Sequence, residues 1–260
     1  MTNYKLTDAI ASTDTETKMW KSRFSVAKAA YGEGNFKECK SLLYRALEQG
    51  QKLKEHEFAV NTCLVGLAAV DIAENKLDEA QKHLEKAIHA LSVSTEPALR
   101  ELYGVALRFN AHVMFLKGET NPAREEIRKA AEVLEALGPE GAVQLAYTLS
   151  DMAILHVTQG ELKDAKDLIL SSMDLLETAL GPENPEYMRA NMIYNVSEAK
   201  DETEMLSAIE SSIVKMQYQR GSKHPGIVRA VKWYLKKLYD RGDKTLIAEA
   251  EDKFNIQAKR

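Results

Sequence analysis

The feature that most constrains this chain is a self-similarity recurring every 41 to 43 residues. Each unit carries a small residue, a large apolar residue four positions on and a second small residue three further. The instances are Cys39/Leu43/Ala46, Ala80/Leu84/Ala87, Ala123/Ile127/Ala130 and Ala165/Ile169/Ser172. Five residues before each leading position stands a helix-ending residue, Gly34, Asn75, Gly118 or Gly160. Twelve before it stands Ala27, Ala68, Ala111 or Ala153. Two antiparallel helices approach closely only where small residues face each other, and the large residue between them fills the neighbouring groove. Glycine and asparagine tolerate the left-handed backbone that closes the first helix. One such pair cannot bury both its faces, so pairs stack into a quasi-one-dimensional array. Two weaker units follow around Val196/Ala208 and Leu235/Ile247, the latter with Gly242 five residues ahead.

The punctuation agrees. Pro97, Pro122, Pro139, Pro182, Pro185 and Pro225 each stand beside a polar or glycine cluster. Asn121-Pro122 and Asn184-Pro185 read as an N-cap followed by a first-turn proline, where the missing N–H would have had no partner anyway. Between these marks apolar residues recur at three and four, as in Leu162, Ala165, Leu168, Ile169 and Leu176. Strand-like alternation is absent. The expectation is an all-α chain of about thirteen helices, most of roughly 12 to 20 residues. Hydrophobic residues make up 45% and charged residues 28%, which excludes a disordered or low-complexity chain. Cys39 and Cys63 are too few for a disulfide framework and fit a reducing compartment. Residues 1–18 have neither signal-peptide nor transit-peptide character, and no 18 uncharged apolar residues run together. A cytoplasmic protein with no membrane contact is expected.

On these residues the chain resembles the tetratricopeptide repeat family, over roughly Met19 to Phe254. The period exceeds that family's usual length and is similar to the longer variety found in kinesin light chains. Leu180-Gly181-Pro182-Glu183-Asn184-Pro185-Glu186 resembles the connector of that variety, and Leu137-Gly138-Pro139-Glu140 and Gly221-Ser222-Lys223-His224-Pro225 echo it. The early Trp of the consensus is missing, Ser150-Asp151 stand where light chains carry paired asparagines, and Ser172 replaces the usual Ala. The resemblance implies a right-handed α-solenoid, a superhelix of five to six stacked antiparallel helix pairs. The units would span about 19–53, 54–96, 97–138, 139–183, 184–223 and 224–258, preceded by a polar helix over 1–18 and closed by a capping helix near Lys244 to Ala258.

Catalytic signatures are absent: there is no phosphate loop, nucleophile elbow, His-Glu-x-x-His or Cys-x-x-Cys. None of the six histidines has a second His or Cys at helical ligand spacing, so neither a metal nor a cofactor is expected. His112 and His156, at similar places in successive first helices, are expected to line one surface or to be satisfied by neighbours. Cys39 occupies a small-residue position, and acidic pairs such as Glu125-Glu126 read as solvated helix faces. The chain is expected not to be an enzyme and to have no small-molecule substrate.

In arrays of this kind the first helices line a concave surface, so the resemblance implies a groove for a peptide or partner protein. The positions by which one tetratricopeptide subgroup grips chaperone tails fall on Phe24, Lys28, Gly66, Val105 and Phe109; only Lys28 is basic. The remaining groove-side candidates, Phe24, Tyr31, Val65, Ile72, Arg108, His112, Phe115, Tyr147 and Ile154, suit an apolar-anchored peptide. Tyr31, Ile72, Phe115 and Val157 read equally as packing between the helices of their own units. Charge is unevenly placed. Lys215 to Arg241 carry a local +7 and Glu119 to Glu186 a local −9, hidden in a net −4. Arg229, Lys232 and Lys236 share one helix face, the groove side in this register, which is expected to attract an acidic segment rather than nucleic acid, or to be a solvated surface. Trp233 and Tyr234 beside them read as core. The binding residues are therefore expected among Lys28, Arg108, His112, Phe115, Tyr147, Arg229, Lys232 and Lys236. The expected function is a non-catalytic adaptor or scaffold, with self-association through the opposite charges as a further outcome. The alternative is a peptide-responsive regulatory receptor controlling a signalling or transcription partner. The N-terminal 20 residues are too short for a DNA-binding helix-turn-helix, so an intrinsic transcription regulator is not expected.

Overall fold

The computed structural model describes residues 15–54 and 56–255, which form twelve α-helices and one 3-10 turn and contain no strand. The helices run in antiparallel pairs. They are α1 (Thr15–Gly32) with α2 (Phe36–Gly50), α3 (His56–Ala73) with α4 (Leu77–Leu91), and α5 (Pro97–Leu116) with α6 (Thr120–Glu135). Then come α7 (Ala142–Thr158) with α8 (Leu162–Leu180), α9 (Pro185–Glu198) with α10 (Glu202–Arg220), and α11 (Pro225–Arg241) with α12 (Lys244–Phe254). Among the described residues the count is twelve, against about thirteen expected for the whole chain. Most of the helix expected over 1–18 lies outside the described residues, and 15–18 are the first turn of α1. The expected capping helix is α12 itself, the second member of its pair; positions 256–258 are likewise outside the description.

The repeat residues meet as the spacing requires. Cys39, Ala46, Ala80, Ala87, Ala123, Ala130 and Ala165 are fully buried, as are Leu43, Leu84 and Ile169 between them. Ser172, the departure from the repeat, is also fully buried, and its hydroxyl is satisfied twice. It donates to the Ala146 carbonyl at 2.7 Å and lies 2.8 Å from the Ser150 hydroxyl, so a polar link replaces the usual Ala contact between α7 and α8. The first helices of four pairs end alike. Gly34, Asn75, Gly118 and Gly160 have φ of 60–85°. The next N–H (Asn35, Lys76, Glu119, Glu161) returns to the carbonyl five residues back at 2.8–3.0 Å, which satisfies an otherwise orphaned helix carbonyl.

Two start signals differ from expectation. Asn184 caps α9, accepting from the Glu186 N–H at 2.9 Å, but α6 begins at Thr120, so Asn121 lies inside it. After the left-handed closure at Gly118 it is Glu119 that stands at the N-cap, and Pro122 sits harmlessly in the first turn. Gly138-Pro139 forms the 3-10 turn instead of starting α7.

Helix α3 is buried on nearly all sides and is the one helix among the described residues apolar and long enough to span a bilayer. Its burial between neighbouring helices accounts for that composition. Asp71 within it is not stranded, because Lys40 of α2 and His83 of α4 reach it at 2.5 and 3.0 Å. On α5, Gly104 lies against Leu134 of α6. A Cβ there would stand 2.6 Å from Leu134 Cγ, and Leu134 is itself fully buried. In an open helix Gly→Ala gains about 1 kcal/mol. Here overpacking of about 1–3 kcal/mol opposes it. Gly104→Ala is therefore expected to lower, not raise, the urea unfolding midpoint; a raised midpoint would show that α5 and α6 are less tightly apposed.

A candidate binding cavity closed by the two ends of the array

The six pairs surround a cavity of 510 Å³. Its wall is built from stripes at three- and four-residue spacing on successive first helices: Arg108/Ala111/His112/Phe115 on α5, Asp151/Ile154/Leu155/Thr158 on α7, Glu186/Arg189/Met192/Ile193 on α9 and Gly226/Arg229/Ala230/Trp233 on α11. Tyr31 of α1 and Ile72 of α3 complete it. Most of this surface is apolar, and the polar groups concentrate on α5, α7, α9 and the ends of α10 and α11.

Five of those polar groups form a ladder of alternating charge. Arg108 Nη1 donates to Asp151 at 3.1 Å, and Arg189 Nη1 donates to the other oxygen of Asp151 at 3.0 Å. Arg189 Nε donates to Glu186 at 3.2 Å, and Arg220 Nη2 donates to Glu186 at 2.5 Å. Burial acts to raise both carboxyl pKa values, but the neighbouring guanidiniums outweigh it and hold Asp151 and Glu186 below the ordinary range. The same two carboxylates outweigh burial at Arg189 and raise its pKa. Asp151, Glu186 and Arg189 are therefore charged at neutral pH. Arg108, 6% exposed, is also held by its faces, with its guanidinium 5.1 Å from the Phe109 ring and 5.6 Å from the Tyr147 ring. Its Nε and Nη2, and Nε2 of His112 one turn on, are buried without a hydrogen-bond partner among the described residues. Burial, and then the Arg229 charge, push the His112 pKa down to about 4, so this ring is neutral at pH 7.

The first and last pairs meet across the cavity. The Tyr31 and His224 rings lie edge to face at 6.3 Å. The turn after α1 also abuts the turn before α11, since a Cβ on Gly34 would come within 3.0 Å of the Lys223 carbonyl oxygen. His224 caps α11 by accepting the Gly226 N–H on Nδ1 at 3.2 Å. Burial, followed by the Arg220 charge, lowers its pKa to about 4, which leaves the neutral ring with its proton on Nε2.

Of the eight residues singled out by sequence, Arg108, His112, Phe115 and Arg229 share the cavity wall. Tyr147, 2% exposed, lies behind Arg108. Lys28 is half-buried on α1 away from the wall, and Lys232 and Lys236 are exposed on α11 outside it. The wall stripe of α11 runs through Arg229 and Trp233, so Trp233, read as core, is 38% exposed at the cavity. Tyr234 is buried and donates to Glu210 at 2.9 Å. Phe24 and Val65 are buried in the core. His156 does not join His112. It turns to Glu161, 2.6 Å away, and with Asp164 forms a cluster of liganding atoms within 4.8 Å. Arg124 already binds both Glu161 oxygens, at 3.2 and 2.9 Å, so that carboxylate's charge is matched. Sequence reasoning passed over Glu186, Arg189, Arg220 and His224 as wall residues. The available signal was a charged residue recurring on the concave stripe of three successive first helices, Arg108, Asp151 and Arg189.

No protein-family profile matches the chain, and no curated protein sequence matches it. Solved structures do. The apo form of RapI superposes with a TM-score of 0.69 at 14% identity, covering 94% of this chain and 84% of that one. A variant of a Podosopora anserina protein described as a kinesin light chain with nearly identical TPR-like repeats gives 0.53 at 14% identity, covering 80% and 99%. BtubC (BKLC) from P. vanneervenii gives 0.52 at 12% identity, covering 91% and 89%. The fold is thus that of the tetratricopeptide-type helical-repeat solenoids, the class implied by the 42-residue repeat.

Proposed function

We propose that this chain is a non-catalytic binding protein whose central cavity takes a short peptide segment with apolar side chains and an anionic group. The observation that carries this reading is the composition of the cavity. At 510 Å³ it falls in the size range of ligand sites, its wall is mainly apolar, and its four arginines face only two carboxylates. Arg229 makes no ion pair or hydrogen bond among the described residues. A peptide offers both halves of the complement, apolar side chains for Ile72, Phe115, Ile154 and Trp233 and an anion for the surplus charge. Within the basic stretch 215–241, Arg220 and Arg229 are the cationic residues on this wall.

The receptor reading is favoured over a passive scaffold by one observation. The contact between the first and last pairs borders the cavity, so a ligand inside it lies against the junction of the two ends of the array. The likeness to RapI in an apo form supports this reading.

The test is affinity selection of a randomised hexapeptide library in solution, read by mass spectrometry. Wild type is expected to retain a related set of sequences. Ile154→Arg, which sets a cation into the apolar wall, is expected to bind them at least tenfold more weakly while keeping its helical circular dichroism. Equal retention by both proteins, or retention by neither, would overturn the reading.

A further inference from the structure

The seam between the two ends of the array has the composition of an anion site. Tyr31, 4% exposed, lines the cavity from α1, and its hydroxyl makes no hydrogen bond among the described residues. Across from it, His224 holds Nδ1 as an acceptor for the Gly226 N–H, so Nε2 carries a proton available to donate. Arg229 stands one turn into the same helix and is the one cavity arginine without a carboxylate partner among the described residues; Arg108, Arg189 and Arg220 are all engaged by Asp151 or Glu186. Its charge reaches Tyr31, His112 and His224. The N-terminus of α11, with Gly226 on the wall, adds a positive helix end to the same place. The imbalance runs in one direction: donors and positive charge are in surplus, and the missing partner is an acceptor. Arg108 Nε and Nη2, buried on the same wall without hydrogen-bond partners among the described residues, repeat that surplus.

We propose that one carboxylate of the peptide ligand docks at this seam, held by the Arg229 guanidinium, the His224 Nε2–H and the Tyr31 hydroxyl. A single ligand group then bridges α1 and α11 and ties the first helix pair to the last. The proposal rests on the peptide reading above and goes beyond it in assigning Tyr31 and His224 to ligand contact and in naming the anion. A carboxylate is favoured over a phosphate because Asp151 and Glu186 already engage the other cavity arginines and the free cationic charge at the seam is a single guanidinium. The carboxylate could be a C-terminal α-carboxylate or an Asp or Glu side chain.

Each hexapeptide retained by wild type would be resynthesised in three forms: free acid, C-terminal amide, and with Asp and Glu changed to Asn and Gln. Their affinities would be measured for wild type, Arg229→Gln and Tyr31→Phe. Neutralising one particular carboxylate is expected to weaken binding to wild type at least tenfold and to make no further difference to Arg229→Gln. Whether the amide or the Asn/Gln peptide shows the loss identifies the source. Tyr31→Phe is expected to weaken the acid peptide about threefold and leave its neutral form unchanged. Hydrogen exchange at 31–35 and 221–226 is expected to slow with the acid peptide and not with its neutral counterpart. Arg229 is exposed, so its replacement leaves the core intact, and the peptide comparison needs no protein variant at all. If Ile154-dependent peptides bind equally well in all three forms, the carboxylate site is wrong and the peptide cavity stands. If no hexapeptide is retained, both fall. Binding of inorganic phosphate that depends on Arg229, with no preference among the peptide forms, would reassign the seam to phosphate and overturn the proposal.

Discussion

Arg189→Ala is expected to destabilise the protein by about 3 kcal/mol, more than any single contact on its surface could. Arg189 is the shared rung of the ladder, bound to Asp151 at 3.0 Å and to Glu186 at 3.2 Å. Removing it leaves two carboxylates in a largely dehydrated wall with one guanidinium each, Arg108 and Arg220. Breaking a buried ion pair by deleting one partner costs about 3–5 kcal/mol, and partial exposure of these side chains to the cavity puts this case at the lower end. An exposed pair such as Arg128 with Glu125 is screened by solvent and contributes little. Urea unfolding of Arg189→Ala and Arg128→Ala side by side checks the difference. Adding Asp151→Asn and Glu186→Gln to Arg189→Ala is expected to recover part of the loss, because the uncompensated charges are then gone. A loss below about 1 kcal/mol for Arg189→Ala would mean that the carboxylates are solvated and the ladder is not a structural element.

Stability is also expected to fall as pH drops from about 6.5 to about 4. The unfolded chain binds protons at histidine near the ordinary value of about 6.5. Folded His112 and His224 resist protonation down to about 4 because burial opposes the charged ring and Arg229 and Arg220 repel it. Over that interval the unfolded state holds more protons, so acidification favours it; above about 6.5 the full stability is present. Each pKa unit corresponds to about 1.4 kcal/mol, which makes about 3 kcal/mol a ceiling for His112 and a smaller figure reasonable for His224, which is nearer solvent. Asp151 and Glu186, held below their ordinary values, extend the loss at still lower pH, where the unfolded carboxylates protonate first. Unfolding at pH 7.5, 5.5 and 4.5 measures the slope, and His112→Gln is expected to flatten it by about half. An unchanged slope in that variant would show that the His112 ring is protonated in the native state.

The repeat was legible because it is local. Whether Ala80 can face a neighbouring helix is settled by Ala80, Leu84 and Ala87 on one turn-spaced stripe and by Asn75 closing the helix before it. The four left-handed positions and the small-residue stripes could be read without coordinates for the same reason: each is a rule about residues close together in the chain. Departures at the level of single residues were legible only as departures. Ser172 was visible as a break in the pattern, but its partners Ala146 and Ser150 come from another helix. Trp233 was misassigned because periodicity places it one position from Tyr234 without saying which of the two stripes faces the core. The curvature of the array decides that.

The sequence by itself determined that this chain is all-helical, that its helices pair, and that the pairs stack with a 42-residue step, since close helix packing and helix termination are chemistry of neighbouring residues. It also determined the uneven distribution of charge along the chain, though not what that charge meets. Only the tertiary structure decided that Arg108, Asp151, Arg189, Glu186 and Arg220 form one ladder, and that Arg229 has no carboxylate partner among the described residues. It alone brought Tyr31 to His224, 193 positions away in the chain, to close the cavity. The reason is geometric. The small rotation between one helix pair and the next accumulates over six pairs, and no single repeat encodes where the two ends will meet.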